Sequence, residues 1–386
     1  MNEVLAPDTL ELSDPDISAL ELQLVQAALQ SPQLSDGPLL ARFEGGFARW
    51  LGRAHAVAVP GATLGTWLAL RALGVGPGDE VIASAHGWQP VAQAVALAGA
   101  RAVFGDIDYW SGCLDPARAA ALITPATRAL IVGNANGHPA DWKAWRALAD
   151  HHGLALIEDS SEALGSVYRG RKVGSFGDVA VFDFAQPSAL CCGEGGMVAT
   201  DNEALAIELR LLRAREAGDR RSVSAGARVP LQCGMSELTA ALGLAQLTRI
   251  DEILERRSAV VAHYLDQMLS FEGIKPPYVA PDVDAVHWML YVVHLGKRFG
   301  ASACAQIIED LATEGIAAAM YSRPLHQQHH YTQLGWKRGQ LPLVERIADR
   351  ALALPLHGHL EPGQIAFIVK TLKDSSLNVG AGAAIY

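Results

Sequence analysis

Apolar positions recur at helical spacing from the start of the chain. "SDPDISALELQLVQAAL" (13–29) sets a capping Ser or Asp ahead of such a run and predicts an opening helix, and "GPLLARFEGGFARWLG" (37–52) predicts a second. Short apolar runs then alternate with Ala/Leu-rich helical stretches: "AHAVAVP", "EVIASA", "RAVFGDI", "RALIVGN", "LALIEDS", "VAVFDF" and "GGMVATD". Strands apolar on both faces and separated by helices predict an α/β fold with a parallel or mostly parallel sheet covered on both sides. A helical pattern over 235–269 leads into a strand at "HWMLYVVHL", a helix around "CAQIIEDLATEG" and a last helix at "EPGQIAFIVKTLK". This organisation predicts a large domain over residues 1–250 and a small C-terminal α/β domain over 251–386, joined by the long helix. The tail "SSLNVGAGAAIY" is small and polar and is expected to be loose.

Composition narrows the function. The 386 residues are half hydrophobic, enough for a large core and a smaller one. The net charge of −10 and the absence of any Lys/Arg run argue against nucleic acid as a partner. The acidic N-terminal stretch lacks a basic region followed by an apolar one, and no apolar run is long enough to span a bilayer, so a cytoplasmic protein is expected. Five cysteines are an odd number with no zinc spacing and are read as reduced thiols; Cys191 and Cys192 are read as packing. "PLHQQHHY" holds three histidines without matching Cys, Asp or Glu spacing, so no metal site is expected.

The ordered segments "FEGGFARWLGRAHAVAV", "GVGPGDEVI", "AGARAVFGDID", "ITPATRALIVGNANGHPAD", "HGLALIEDSSEALGSVYRGRKVGSFGD", "GEGGMVATD" and "GMSELTAALGLAQL" resemble the DegT/StrS-type sugar aminotransferases over nearly the whole chain. The resemblance implies an aspartate-aminotransferase-like fold, a homodimer with active sites at the subunit interface, and a small-molecule sugar substrate aminated with pyridoxal phosphate (PLP). Carried over residue by residue, it places Trp88 on the cofactor ring and Asp159 at the pyridine nitrogen, and both positions are kept. The phosphate turn is altered. Its run here is "PGATLGT", with Gly61 and Ala62 in place of a serine and a glycine, and only Thr63 retained. Asp183 replaces a serine that would face the phosphate, and Gln232 and Gly234 stand where the family has Asn and Arg.

The Schiff-base lysine of the family aligns with Ser188 in "FDFAQPSALCCGEGG", and no lysine occurs between 173 and 274. A hydroxyl can neither form the imine nor shuttle its proton near neutral pH. Ordinary amino transfer through the chain is therefore not expected, and three readings stay open. One is PLP-independent acid/base chemistry on a sugar-like or amino-containing metabolite, with no resident cofactor, Asp159, Glu162, Asp183 and His86 as acid/base groups, and Ser188 as a substrate contact. Another is non-covalent pyridoxamine phosphate (PMP), as in sugar dehydratases of the family that carry histidine at the lysine position; here His86 or His326 would have to serve. The third is a non-catalytic partner of an active paralogue. Gln232, Tyr321 and His326 are the substrate-contact candidates. Trp288 and Tyr291 are read as core of the small domain.

Overall fold

The computed structural model describes residues 9–87, 90–214, 231–268 and 273–382. In chain order its strands are β1 (His55–Val59), β2 (Glu80–Ser84), β3 (Arg101–Gly105), β4 (Thr127–Gly133) and β5 (Ala155–Asp159). A short hairpin follows, β6 (Val167–Tyr168) and β7 (Arg171–Lys172), then β8 (Val179–Asp183) and β9 (Gly196–Thr200). The last five are β10 (Ile274–Lys275), β11 (Val283–Ala285), β12 (Tyr291–Leu295), β13 (Ala319–Met320) and β14 (Ala351–Leu354). The seven apolar runs of the sequence form one sheet in the order β1-β9-β8-β5-β4-β2-β3. Pairs among β2, β3, β4, β5 and β8 are parallel, and only β9 runs against its neighbours. Every residue of β8 is buried, which is what a strand covered on both faces demands. This is the mostly parallel α/β architecture the pattern predicts. A second, antiparallel sheet has the order β10-β12-β14-β13, and β11 joins the β6–β7 hairpin.

Helix α1 (Ala19–Leu29) opens with a capping box, the Ser18 hydroxyl against the backbone and Glu21 reaching back to the Ser18 amide. Helix α2 (Pro38–Leu51) starts on a proline and ends at Gly52, whose φ of 81° suits a residue without Cβ. Helix α3 (Ala62–Ala72) follows β1 directly. At its Gly65 a Cβ would lie 3.1–3.2 Å from methyls of Val198, Val181 and Val59, so glycine lets the helix sit down on the sheet. The continuous helix expected over 235–269 is two, Glu237–Thr248 and Ile250–Met268. The break falls at Arg249, whose guanidinium is drawn onto Asp16 and Glu21 beside α1. The second of these helices starts among large-sheet residues, with Ile250 and Leu254 packed with Phe43 and Phe182. It finishes in the small-sheet core, with Val260, Tyr264 and Met268 beside Tyr291 and Trp288.

The C-terminal helix runs Pro362–Gly382, through most of the segment expected to be loose. Ser375 and Ser376 are buried there, and their hydroxyls find acceptors on Asp310 and on the Lys373 carbonyl, which offsets their poor helix propensity. No helix among the described residues is long and apolar enough to cross a membrane.

Candidate active site

Two adjoining cavities open at the carboxyl ends of the parallel strands, where open α/β sheets bind ligands. The first is lined by Ser84, His86, Asn134, Asp159 and Glu162 among others, and the second by His86, Trp288, His294 and Tyr321 among others. His86, Gly112 and Ala135 line both.

Asp159 ends β5 and is 6% exposed; its Oδ1 accepts the Ser161 amide at 3.1 Å. Burial, aided by the nearby Asp183 and Glu158 charges, pushes its carboxyl up to about 6. Glu162, on the loop after β5, accepts the Asn136 amide and the Tyr321 hydroxyl on the same oxygen, each at 2.5 Å. Burial outweighs those two hydrogen bonds and raises Glu162 to about 7, with Asp159 adding to the rise. Tyr321 follows β13, and burial together with the Glu162 charge holds its phenol well above the ordinary value. The proton therefore stays on the phenol, which donates to Glu162 Oε2.

His86 leaves β2 with its amide on the Ser84 hydroxyl. Its Nδ1 lies 3.1 Å from the Gly112 carbonyl, which accepts, so the proton is on Nδ1. Burial lowers the ring to about 4. Nε2 is thus a bare acceptor, buried without a partner among the described residues. Gly112 has φ of 72°, which favours glycine, and a Cβ there would press on His86 Cε1 at 3.2 Å.

Asp183, at the end of β8, lies beside the start of α3. Its Oδ2 accepts the Ala62 amide at 2.9 Å and its Oδ1 the Ala185 amide at 2.8 Å. A carboxylate thus occupies the N-terminal amide of α3, the group that would otherwise draw an anion. Thr63 is half-buried in the first turn of that helix. Ser188 is half-buried, and its Oγ is enclosed with no hydrogen-bond partner, so no base among the described residues activates it as a nucleophile.

Asp183, Thr63 and Ser188 line neither cavity, and the remaining described candidates also lie outside them. His326 is fully buried with Nε2 2.9 Å from Glu345 and lines neither cavity. Gln232 is exposed at φ 45° and also lines neither. Trp88 falls outside the described residues. The Cys191 and Cys192 thiols are buried, which raises both above the ordinary range and leaves them protonated.

Sequence reasoning missed Asn136, Cys113 and His294, which the fold brings to the cavities. Asn136 takes φ of 50°, which asparagine tolerates, and its side chain bonds both the Leu290 amide and the Leu290 carbonyl at 3.0 Å. It thereby joins the Glu162 wall to the segment entering β12. "NANGH" signals a turn but says nothing of a partner 154 residues away.

The family description DegT/DnrJ/EryC1/StrS aminotransferase matches residues 15–373. The spore coat polysaccharide biosynthesis protein SpsC of Bacillus subtilis (strain 168) is 34% identical over 376 residues, 95% of this chain and 96% of that protein. DesV of S. venezuelae is 34% identical with a TM-score of 0.88, covering 96% of this chain and 99% of that one. Spr1654 of Streptococcus pneumoniae superimposes in its PMP-form at a TM-score of 0.92 and 25% identity, covering 97% of this chain and 100% of that one. Its PLP-form superimposes at 0.91 and 26%, covering 96% and 99%. The expectation of a pocket without a cofactor is thereby corrected: a protein matched over nearly the whole of this chain is known in both vitamin B6 phosphate forms.

Proposed function

The chain belongs to the DegT/DnrJ/EryC1/StrS aminotransferase family, and from that premise we propose that it is a biosynthetic enzyme acting by proton transfer on a sugar-like small molecule, with a B6-type ligand of the pyridoxamine class held non-covalently. The pocket fits such a ligand at one end. Asp159, buried at the end of β5, suits a pyridine nitrogen, and a ring so held supplies an electron sink. A phosphate fits less well, because the Asp183 carboxylate stands at the start of α3 and already holds the Ala62 amide there. Ser188 offers no amine, and no lysine lines either cavity among the described residues.

The reading is carried by one observation: Glu162 and the partnerless Nε2 of His86 line the same cavity. Glu162, raised to about 7, can give or take a proton near neutrality, while Tyr321 steadies its ionised form. His86 is neutral and presents Nε2 as an acceptor. An acid and a base on one wall suit isomerisation or loss of water beside a carbonyl, the work a dehydratase does. We take the active form to be a homodimer with the pocket at the interface, and residues 1–250 and 251–386 as its two domains; light scattering should return the mass of two chains.

The test is product analysis by mass spectrometry after incubation with keto sugars and pyridoxamine or PMP. Loss of water without net amino transfer is expected, and Glu162→Gln should slow it about 10²–10⁴-fold. Sustained amino transfer from an amino-acid donor overturns the reading.

A further inference from the structure

We propose that Asp183, at the start of α3 and within electrostatic reach of the cavity-lining Asp159, makes that side of the pocket suit a donor rather than an anion, so that the B6-type ligand enters without phosphate and presents a hydroxyl or ammonium there. This deepens the reading above and rests on it for the ligand's identity.

A phosphate at a helix N-terminus is held by free amides. Here the Ala62 amide is engaged by Asp183 Oδ2 at 2.9 Å, and Oδ1 is fixed by the Ala185 amide at 2.8 Å. The carboxylate is 9% exposed and cannot turn out to solvent without giving up both bonds. No hydroxyl compensates at the preceding positions. Gly61 is extended, with φ of 167°, and Asp183 Oδ2 is 3.8 Å from where its Cβ would begin, so a group entering there meets the acid itself. Asp183 and Asp159 are near enough to interact electrostatically, and Glu162 acts on the same pocket. Neither cavity has Lys or Arg among its described lining residues. A dianion would therefore face carboxylates, with no cation among the described lining residues and with the Ala62 amide at the start of α3 already taken. A hydroxyl or ammonium meets the opposite situation, since a carboxylate has about four lone-pair sites and this one spends two. The partnerless, buried Nε2 of His86 independently calls for a ligand in this pocket.

The experiment titrates the full chain with pyridoxamine and with PMP, following tryptophan fluorescence, and separately records Tm against inorganic phosphate. The comparison variants are Asp183→Ser and Asp183→Asn, the second keeping an oxygen for the Ala62 amide so that the fold is retained. Wild type should bind pyridoxamine at least tenfold more tightly than PMP and show no phosphate-dependent rise in Tm. The variants should reverse the preference and gain that rise. Equal affinities or a preference for PMP in wild type overturn the proposal. If neither compound binds wild type, the B6 reading of the pocket fails, and the phosphate series still decides the role of Asp183: a Tm gain confined to the variants upholds a donor site, and identical curves reject it.

Discussion

In the proposed reaction Glu162 carries the proton, and its environment has a consequence for stability. Burial raises its carboxyl from 4.5 to about 7 in the folded chain. Between those values the folded protein holds a proton that the unfolded chain has released. Stability therefore falls as pH rises through that window, and the full loss is present above 7. Asp159, raised from 3.8 to about 6, acts in the same direction over a lower window. His86, lowered to about 4, opposes them, because the unfolded chain takes up its proton below 6.5. The difference between wild type and Glu162→Gln isolates the one group: urea denaturation should show the variant gaining on wild type from pH 5 to pH 8, by on the order of a few kcal/mol. Equal pH slopes for the two proteins reject the assignment. Substituting Nε2 of His86 is a separate prediction. His86→Phe should cut turnover at least about a hundredfold, since in the proposed reaction the ring accepts a proton.

At the scale of elements, a carboxylate from far along the chain organises the start of α2. Glu237 is buried and accepts the amides of Gly37, Leu39 and Leu40 at 3.0, 2.9 and 2.9 Å. An anion at a helix N-terminus meets both the orphan amides and the dipole. Glu237→Ala should cost about 2–3 kcal/mol of unfolding free energy, against about 1 kcal/mol for Ser18→Ala at the capping box of α1. Chemical denaturation of both variants checks the ranking. The two caps also mark how far elements can be read from a chain. Ser18 and Glu21 are three residues apart and announce their helix, whereas Glu237 and Gly37 meet only after folding. The break at Arg249 was hidden for the same reason, because the acids that draw its guanidinium lie on and before α1.

Over the whole molecule, the helix Ile250–Met268 ties the two sheets together, and Arg257 is its principal rivet. The guanidinium is buried, and burial lowers it to about 10. It donates to the carbonyls of Leu356, Trp288 and Met289 at 2.9, 3.1 and 2.8 Å, binding the helix to two separate segments next to the small sheet. Arg257→Met leaves three buried acceptors unpaired and should cost about 3 kcal/mol or more. Because His86 and Tyr321 approach the pocket from different sheets, with ring centroids 5.4 Å apart, loosening this joint should also weaken ligand binding. Calorimetric Tm and a binding titration on the one variant measure both effects.

Period and turn chemistry along the chain were enough for the seven strands of the large sheet and the first two helices, because each of these depends on neighbours within a few residues; the family came from the resemblance of ordered segments. Tertiary structure alone decided which candidates share a pocket. It set His86 and Glu162 on one wall and left His326 on Glu345, and it brought in Asn136, Cys113 and His294 unannounced. It also engaged Asp183 with the α3 amide. Protonation state belongs with these, since burial and the distance between charges arise only when segments far apart in the chain close over one another.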